Sequence, residues 1–527
     1  LLRPHWMYLR SCWMNLKMES EGMKCGMVLD KIYRYTVGVL MIVITGVLFA
    51  MALCGTSFIS QSEHTTYRAD NFIVQLAAVL AVTAITFAAV RLKKQPEFRK
   101  AAAAACVLLG IFLFALIVGT QMAPGSDSGM ICAVARRIIR NDLSEDFTQT
   151  TIRYMQKYPN QNGMVVFIWA LFNFIGTDNY IALQLINLAA LFIAYYYIYR
   201  LIKEVFGEDI AAVSVIVMCM FLPFSIYVMF VYGTMLGMAC AMAACYMLVR
   251  FVRDGHMRHG VLSAVMVALA CVFKSNYMIV FAALLMTELI TLIKTRSRKM
   301  LAAAVLMTAL NMMVSPLTSV AYTAISGDAA SDGVPHLAWV AMGLQESPGR
   351  AEGWYNGYND RVYADNNGDT AAESQQCREY LRQRIPYMLK NPAYTVKFFA
   401  KKTASQWNNP TFECFTFIGD MQTANHKVMP SMEAIYTDGT SVNSLLIKFM
   451  NIMQSVILGG AFAYFVLNFK RSDLQELIYA LIFVGGFLFH FMWEAKCQYT
   501  VVYILLLIPY AVMGYNAMCR RLQERGR

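Results

Sequence analysis

Twelve stretches of this chain are apolar enough, and long enough or nearly so, to cross a lipid bilayer. That pattern constrains the fold more than any other feature. A helix needs ~20 mostly apolar residues to span the hydrocarbon core. The runs are 35–55, 72–91, 101–122, 180–201, 210–230, 233–250, 261–274, 277–293, 301–325, 443–468, 474–493 and 499–518. Another apolar segment, 163–176 (GMVVFIWALFNFIG), falls short of the ~17 residues a crossing needs and predicts a re-entrant or surface-lying helix. Composition agrees: the 527 residues are 58% hydrophobic and only 15% charged, where soluble domains carry about 25% charge. The expected class is an all-α integral membrane fold of about 12 transmembrane helices, with a juxtamembrane helix and a mainly α outer loop domain.

Charge sets the sidedness. The net charge of +12 does not point to nucleic acid, because the Lys and Arg residues sit in short clusters between apolar runs. These clusters are Arg91–Lys100, Arg250–Arg258, Lys294–Lys299, Lys470–Arg471 and Arg520–Arg527. All fall on one side if the twelve runs cross, and excess Lys and Arg in short loops marks the cytoplasm. Both termini are then cytoplasmic. The expected divisions are a tail 1–34, two spans in 35–100, a core 101–325 with an outer loop 123–162, an outer domain 326–442, three spans in 443–518 and a tail 519–527. Residues 1–22 read as an upstream extension as readily as a working segment. The first outer segment, 56–71, has no distinguishing feature. In the outer domain, helical patterns cover 372–390 and 393–407, with Pro386 and Asn391-Pro392 as breaks. The 13 cysteines form no CxxC pair. Cys377 and Cys414 share the outer domain, where a disulfide between them is one option. The seven His show no HxxxH pair.

Polar residues gather at the predicted outer ends of the spans. Pro124-Gly125-Ser126-Asp127-Ser128-Gly129 begins at a membrane exit. Asp127 there suits a general base for a hydroxyl; equally, Ser126 or Asp127 suits the N-cap of a helix running through Met130 to Arg140. Lys157 and Tyr158 suit a phosphate headgroup or an interfacial anchor. Lys274, between two spans, is a functional candidate or a snorkelling side chain. Lys397, Lys401 and Lys402 lie with Phe398, Phe399 and Trp407 in a pattern that suits a helix on the membrane surface, basic towards anionic lipid. Trp493-Glu494-Ala495-Lys496-Cys497-Gln498-Tyr499 fills the last outer turn.

Taken in order, these segments resemble the polytopic glycosyltransferases of the GT-C superfamily, close to bacterial family 39. The matching elements begin with PGSDSGM and its Arg-bearing helix ICAVARRIIRND, then YPNQNGMVVFIWALFNFIG and YYYIYRLIKEVFG. Tyr232-Gly233-Thr234, Lys274, Trp339–Gly343, Gly353–Asn359, KK…QW at 401–407 and Glu494–Tyr499 follow. The resemblance covers residues 100 to 520. It departs in the two spans before residue 100 and in Lys-Cys-Gln-Tyr where many relatives have Arg before Tyr. It implies transfer of a sugar, with inversion, from a polyprenyl-phosphate carrier to a cell-envelope polymer, lipid or protein on the outer face of a bacterial plasma membrane. Asp127 would be the base. Lys157, Tyr158, Lys274, Lys496 and Tyr499 would bind the donor phosphate. Glu145, Asp146, Glu494, Trp354 and Tyr355 are acceptor or supporting candidates. Ser-Asp-Ser replaces a DxD, so no metal or other cofactor is expected, a divalent ion being the alternative. A transporter or lipid-linked-sugar flippase is the competing reading, and a non-catalytic envelope-assembly scaffold a third. Transport sites tend towards the midplane, whereas the polar residues here gather at one face.

Overall fold

In a computed structural model of the chain, residues 3–60, 63–91, 97–140, 144–420 and 428–525 are described. Each of the twelve apolar runs is helical. They form α1 (Arg3–Cys54), α2 (Phe72–Arg91), α3 (Phe98–Thr120), α7 (Tyr180–Phe206), α8 (Glu208–Met220) with α9 (Leu222–Ile226), α10 (Thr234–Asp254), α11 (Met257–Phe273), α12 (Met278–Thr295), α13 (Arg298–Ser326), α20 (Ser441–Asn468), α21 (Ile478–Met492) and α22 (Val501–Arg525). Among the described residues, eight are long and apolar enough to cross a membrane, and α8–α9 makes a ninth broken by a 65° bend. Phe72–Thr86 within α2, α11 and α21 are shorter apolar helices. Their outer faces carry a lipid-facing coat: Leu108, Ile111, Met312, Leu317 and Val320 are all more than half exposed. α1 continues the first span back to Arg3, so much of the expected tail is helical.

The loops that charge assigned to one side meet at one end of the bundle. Asp30 pairs with Lys294 at 3.2 Å, Arg34 donates to the Lys470 carbonyl, and Arg253 contacts Glu204 and Gln475. Residues 92–96 of the first basic cluster and 526–527 of the last lie outside the described residues.

At the opposite end, α4 (Ser126–Ile139), α5 (Glu145–Lys157) and the 14-residue α6 (Asn162–Ile175) follow α3. At ~1.5 Å per residue, α6 is only ~21 Å long. The outer domain holds α14 (His336–Gly343), α15 (Tyr358–Asp365), α16 (Thr370–Lys390), α17 (Pro392–Trp407), α18 (Cys414–Asp420) and α19 (Pro430–Tyr436).

Three expectations are corrected here, and the disulfide option is not taken. Pro386 does not end its helix: α16 runs through it, and both Pro386 and Arg382, whose carbonyl loses its partner, are on the exposed face. The first outer segment is a β-hairpin, β1 (Gly55–Ile59) paired antiparallel with β2 (Thr65–Ala69), built from strand-favouring Thr, Ile and Tyr. α17 does not present Lys401 and Lys402 to lipid. Lys402 is buried and donates to the Gly343 and Trp493 carbonyls at 2.6 and 2.7 Å, while Lys401 pairs with Glu352. Cys377 and Cys414 are both buried and free.

Bent and unwound backbone in a bundle needs replacement hydrogen bonds. Here α7 supplies them. Gln184 donates to the Met122 and Met229 carbonyls, and Asn187 donates to those of Val228 and Phe230. The two amides fix the stretch 227–233, which carries Tyr232 towards the same end as α4.

Candidate active site

Three segments, the starts of α6 and α10 and the turn bearing Lys274, converge because glycines let their backbones touch. A Cβ on Gly233 would lie 2.1 Å from the Phe273 carbonyl oxygen, one on Gly163 2.3 Å from that of Val272, and one on Gly237 would strike the Tyr277 ring. Gly233 also sits at φ 77°, in the left-handed region. Thus α6 and the start of α10 close directly on the turn bearing Lys274.

Asp127 stands in the first turn of α4, where the helix dipole favours a carboxylate. The cap reading is corrected. Gly125 is the N-cap residue, no side chain caps the helix, and Ser126 sits at φ 48°. Backbone strain of this kind in a non-glycine residue is a mark of functional sites. The Asp127 carboxylate instead accepts hydrogen bonds from Tyr154 Oη (3.3 Å) and Tyr232 Oη (3.2 Å). Tyr232 Oη in turn accepts from Gln161 Nε2 at 2.6 Å. Buried Ser128, one residue on, donates to the Val231 carbonyl and ties α4 to this stretch. Burial, reinforced by the charge of Asp127, keeps both phenols protonated far above the usual tyrosine range.

These groups line a cavity of about 1330 Å³, counted to its open mouth. Lys274, Tyr158, Tyr355, Glu494, Lys496, Tyr499 and Glu63 line it too. The Lys274 ammonium donates to Thr234 Oγ1 at 2.9 Å and lies 5.0 Å from the Tyr232 ring and 5.9 Å from that of Tyr499. Among the described residues it forms no ion pair. Burial lowers it to about 8, against the pull of Asp127. Glu494 accepts from Tyr499 Oη at 3.4 Å; burial raises its carboxyl to about 7, opposed by Lys496.

Lys496 is held differently. Its ammonium is 2.7 Å from Glu63, which also pairs with Arg350 at 2.6 Å. Burial acts to lower the Lys496 ammonium, but Glu63, Glu413 and Glu494 outweigh it and raise it far above its ordinary value. Opposite, the rings of Trp339 and Trp493 stack at 5.8 Å beside His336.

The cavity meets a narrow apolar groove, with about 20 Å³ that a water-sized sphere can reach, through shared Lys274, Asn276 and Tyr499. Met238, Met242, Val280, Ile482, Val502 and Leu506 line the groove between α10, α12, α21 and α22.

Of the residues singled out in the sequence, Asp127, Tyr158, Lys274, Tyr355, Glu494, Lys496 and Tyr499 come together. Lys157 does not line the cavity; it is ion-paired with Asp360. Trp354 is buried behind the wall, its indole N–H on Ser405 Oγ. Glu145 and Asp146 lie exposed in the first turn of α5, remote from the cavity lining. Glu63 was not foreseen, Tyr154 was given no catalytic part, and Gln161, Asn359, Tyr232 and Trp339 stood inside quoted motifs without a role. Among the described residues, no group of three His, Cys, Asp or Glu side chains is arranged to hold a metal ion.

Residues 161–319 match the family model described as dolichyl-phosphate-mannose-protein mannosyltransferase. No curated protein sequence matches the chain. Among solved structures, the chain is similar to the archaeal oligosaccharyltransferase AglB from Archaeoglobus fulgidus, in complex with an inhibitory peptide and a dolichol-phosphate, at 12% identity and a TM-score of 0.41. The likeness covers 82% of this chain and 52% of that one, so the chain spans about half the length of the structure it matches. The family-model match covers under a third of the chain, so the activity is taken up as a proposal. The particular donor and acceptor belong to the proposal that follows.

Proposed function

We propose that the chain transfers a hexose from a polyprenyl-phosphate carrier to a hydroxyl acceptor on the outer face of a bacterial plasma membrane, with both termini cytoplasmic. One observation carries this reading. A carboxylate held by two phenols, Asp127, shares a cavity with Lys274, a half-buried ammonium that forms no ion pair among the described residues, where that cavity opens into an apolar groove.

The groove suits the phosphate-proximal part of a prenyl tail, whose burial contributes ~0.8 kcal/mol per CH₂. Lys274 and the Tyr499 phenol then meet the phosphate. Asp127 takes the proton of the acceptor hydroxyl as that oxygen attacks the anomeric carbon. The bond from that carbon to the phosphate oxygen breaks on the opposite face, and polyprenyl phosphate leaves with inversion at carbon. Negative charge grows on the leaving phosphate, so Lys274 stabilises the transition state more than the ground state. Lys496, already compensated by Glu63, is assigned to the acceptor side. Tyr158 and Tyr355 border the sugar, and Glu145 and Asp146 take no part. No protein-held metal ion enters, because Ser126-Asp127-Ser128 offers one carboxylate where a DxD offers two.

The test is transfer of radiolabelled sugar from a panel of polyprenyl-phosphate sugars in membranes holding the chain. Label in a covalent product on lipid, polymer or protein is expected. Label carried across sealed vesicles without any covalent product would refute the reading in favour of transport.

A further inference from the structure

α16 and α17 meet in a tight elbow at Asn391, closed by Thr395 Oγ1 donating to the Met388 carbonyl and by an edge-to-face contact of Tyr387 with Tyr394. The elbow is unusual for a loop domain. Leu389 is 77% exposed, Val396 70% and Ile385 44%, and Pro386, Pro392 and Ala393 are exposed with them. Ile385 and Leu389 are four residues apart on α16 and so share a face. Apolar side chains clustered this way on a surface mark an interaction site.

Two independent observations say what covers them. First, the elbow continues a lipid-facing surface. Phe399, three residues beyond Val396, stacks on Phe491 in the last turn of α21 with ring centroids 4.0 Å apart. On that same end of α21, Leu488 and Met492 are exposed, 52% and 39%. Second, the charge is of one sign. From Tyr380 to Phe412 the sequence holds no Asp or Glu, whereas Lys390 and Lys397 flank the apolar tip and are both exposed. Apolar residues bracketed by exposed lysines suit the boundary between acyl chains and anionic headgroups.

We propose that the elbow 385–397 dips into the leaflet on the cavity side of the membrane and anchors the outer domain there. The insertion belongs to the fold and holds whatever sugar or acceptor the cavity takes. It also relocates the membrane contact of this segment. Lys401 and Lys402 are used inside the protein, and the contact falls instead on Ile385, Leu389 and Val396.

The experiment uses the full chain in bilayers containing phosphatidylglycerol, in a parent whose reactive cysteines have been replaced by serine. An NBD fluorophore is attached at Leu389→Cys and, separately, at Glu379→Cys. Glu379 lies ten residues earlier on the same helix, ~15 Å away. Lipid carrying a shallow doxyl group is expected to quench the label at 389 and to leave that at 379 unchanged, while aqueous iodide does the reverse. Iodide quenching at 389 without doxyl quenching would overturn the proposal. Doxyl quenching at both positions would also overturn it, because the whole domain face rather than the elbow would then touch lipid.

Discussion

Replacing Lys274 by Met removes the one cation of the cavity that has no anionic partner among the described residues. The side chain keeps similar length and apolar bulk, so packing against Tyr232 and Tyr499 is largely retained. What is lost is a charge-assisted hydrogen bond to the donor phosphate, worth ~1.5–3 kcal/mol. At ~1.4 kcal/mol per tenfold, that predicts a fall of about 10- to 140-fold in kcat/KM for the donor. The pH profile adds a second signature. Burial lowers the Lys274 ammonium to about 8, so the parent enzyme should lose kcat/KM as pH rises through that value, since this parameter reports groups of the free enzyme. Lys274→Met should lack this alkaline limb. The assay is initial-rate transfer with varied donor in detergent or nanodiscs across the pH range. A loss smaller than about threefold, or an alkaline limb near 8 that survives the substitution, would refute Lys274 as the phosphate cation.

Three further outcomes are expected. Lys402→Met leaves the Gly343 and Trp493 carbonyls unpartnered and should cost ~1–3 kcal/mol in unfolding measurements. Burial lowers Lys402 to about 7, so the unfolded chain binds the extra proton; its stabilising share is complete above ~10.4, is lost as pH falls through about 7, and should vanish in the variant. Gly233→Ala forces a Cβ to 2.1 Å from the Phe273 oxygen at φ 77°, and should lower both melting temperature and transfer by displacing Tyr232. Glu63→Gln and Lys496→Met in a double-mutant cycle should show ~0.5–3 kcal/mol of coupling in stability; additive effects would mean that the 2.7 Å pair contributes nothing.

Much of the bundle was legible because lipid is a strict solvent. It demands long apolar helices, and runs such as 101–122 and 301–325 have no other use. The same rule makes polar residues at span ends conspicuous, which is why Asp127, Lys274 and the Glu494–Tyr499 turn could be read from the chain. Tertiary partners were not legible. Lys157 and Lys274 look alike in sequence, each a lone lysine with a tyrosine within three residues, yet Asp360, over two hundred positions after Lys157, neutralises only the first. Glu63 carried no signal, since a five-residue strand on either side is too short to announce where its turn points. Trp354 had the look of a cavity aromatic, but its backbone pairs with Ala495 and the ring faces Ser405. Pro386 was misread because the carbonyl it frees, that of Arg382, lies exposed ahead of the elbow, where water can donate to it.

The assignment of Asp127 as the base is tested most directly by Asp127→Asn, measured for donor binding and for transfer in the same preparation. The amide can still accept from Tyr154 or Tyr232 but cannot take a proton. Binding of the polyprenyl-phosphate sugar is expected to stay near the parent value while transfer falls by ~10²–10⁴-fold. Transfer at the parent rate, with binding intact, would contradict the assignment and move the search for the base to Glu494 across the cavity.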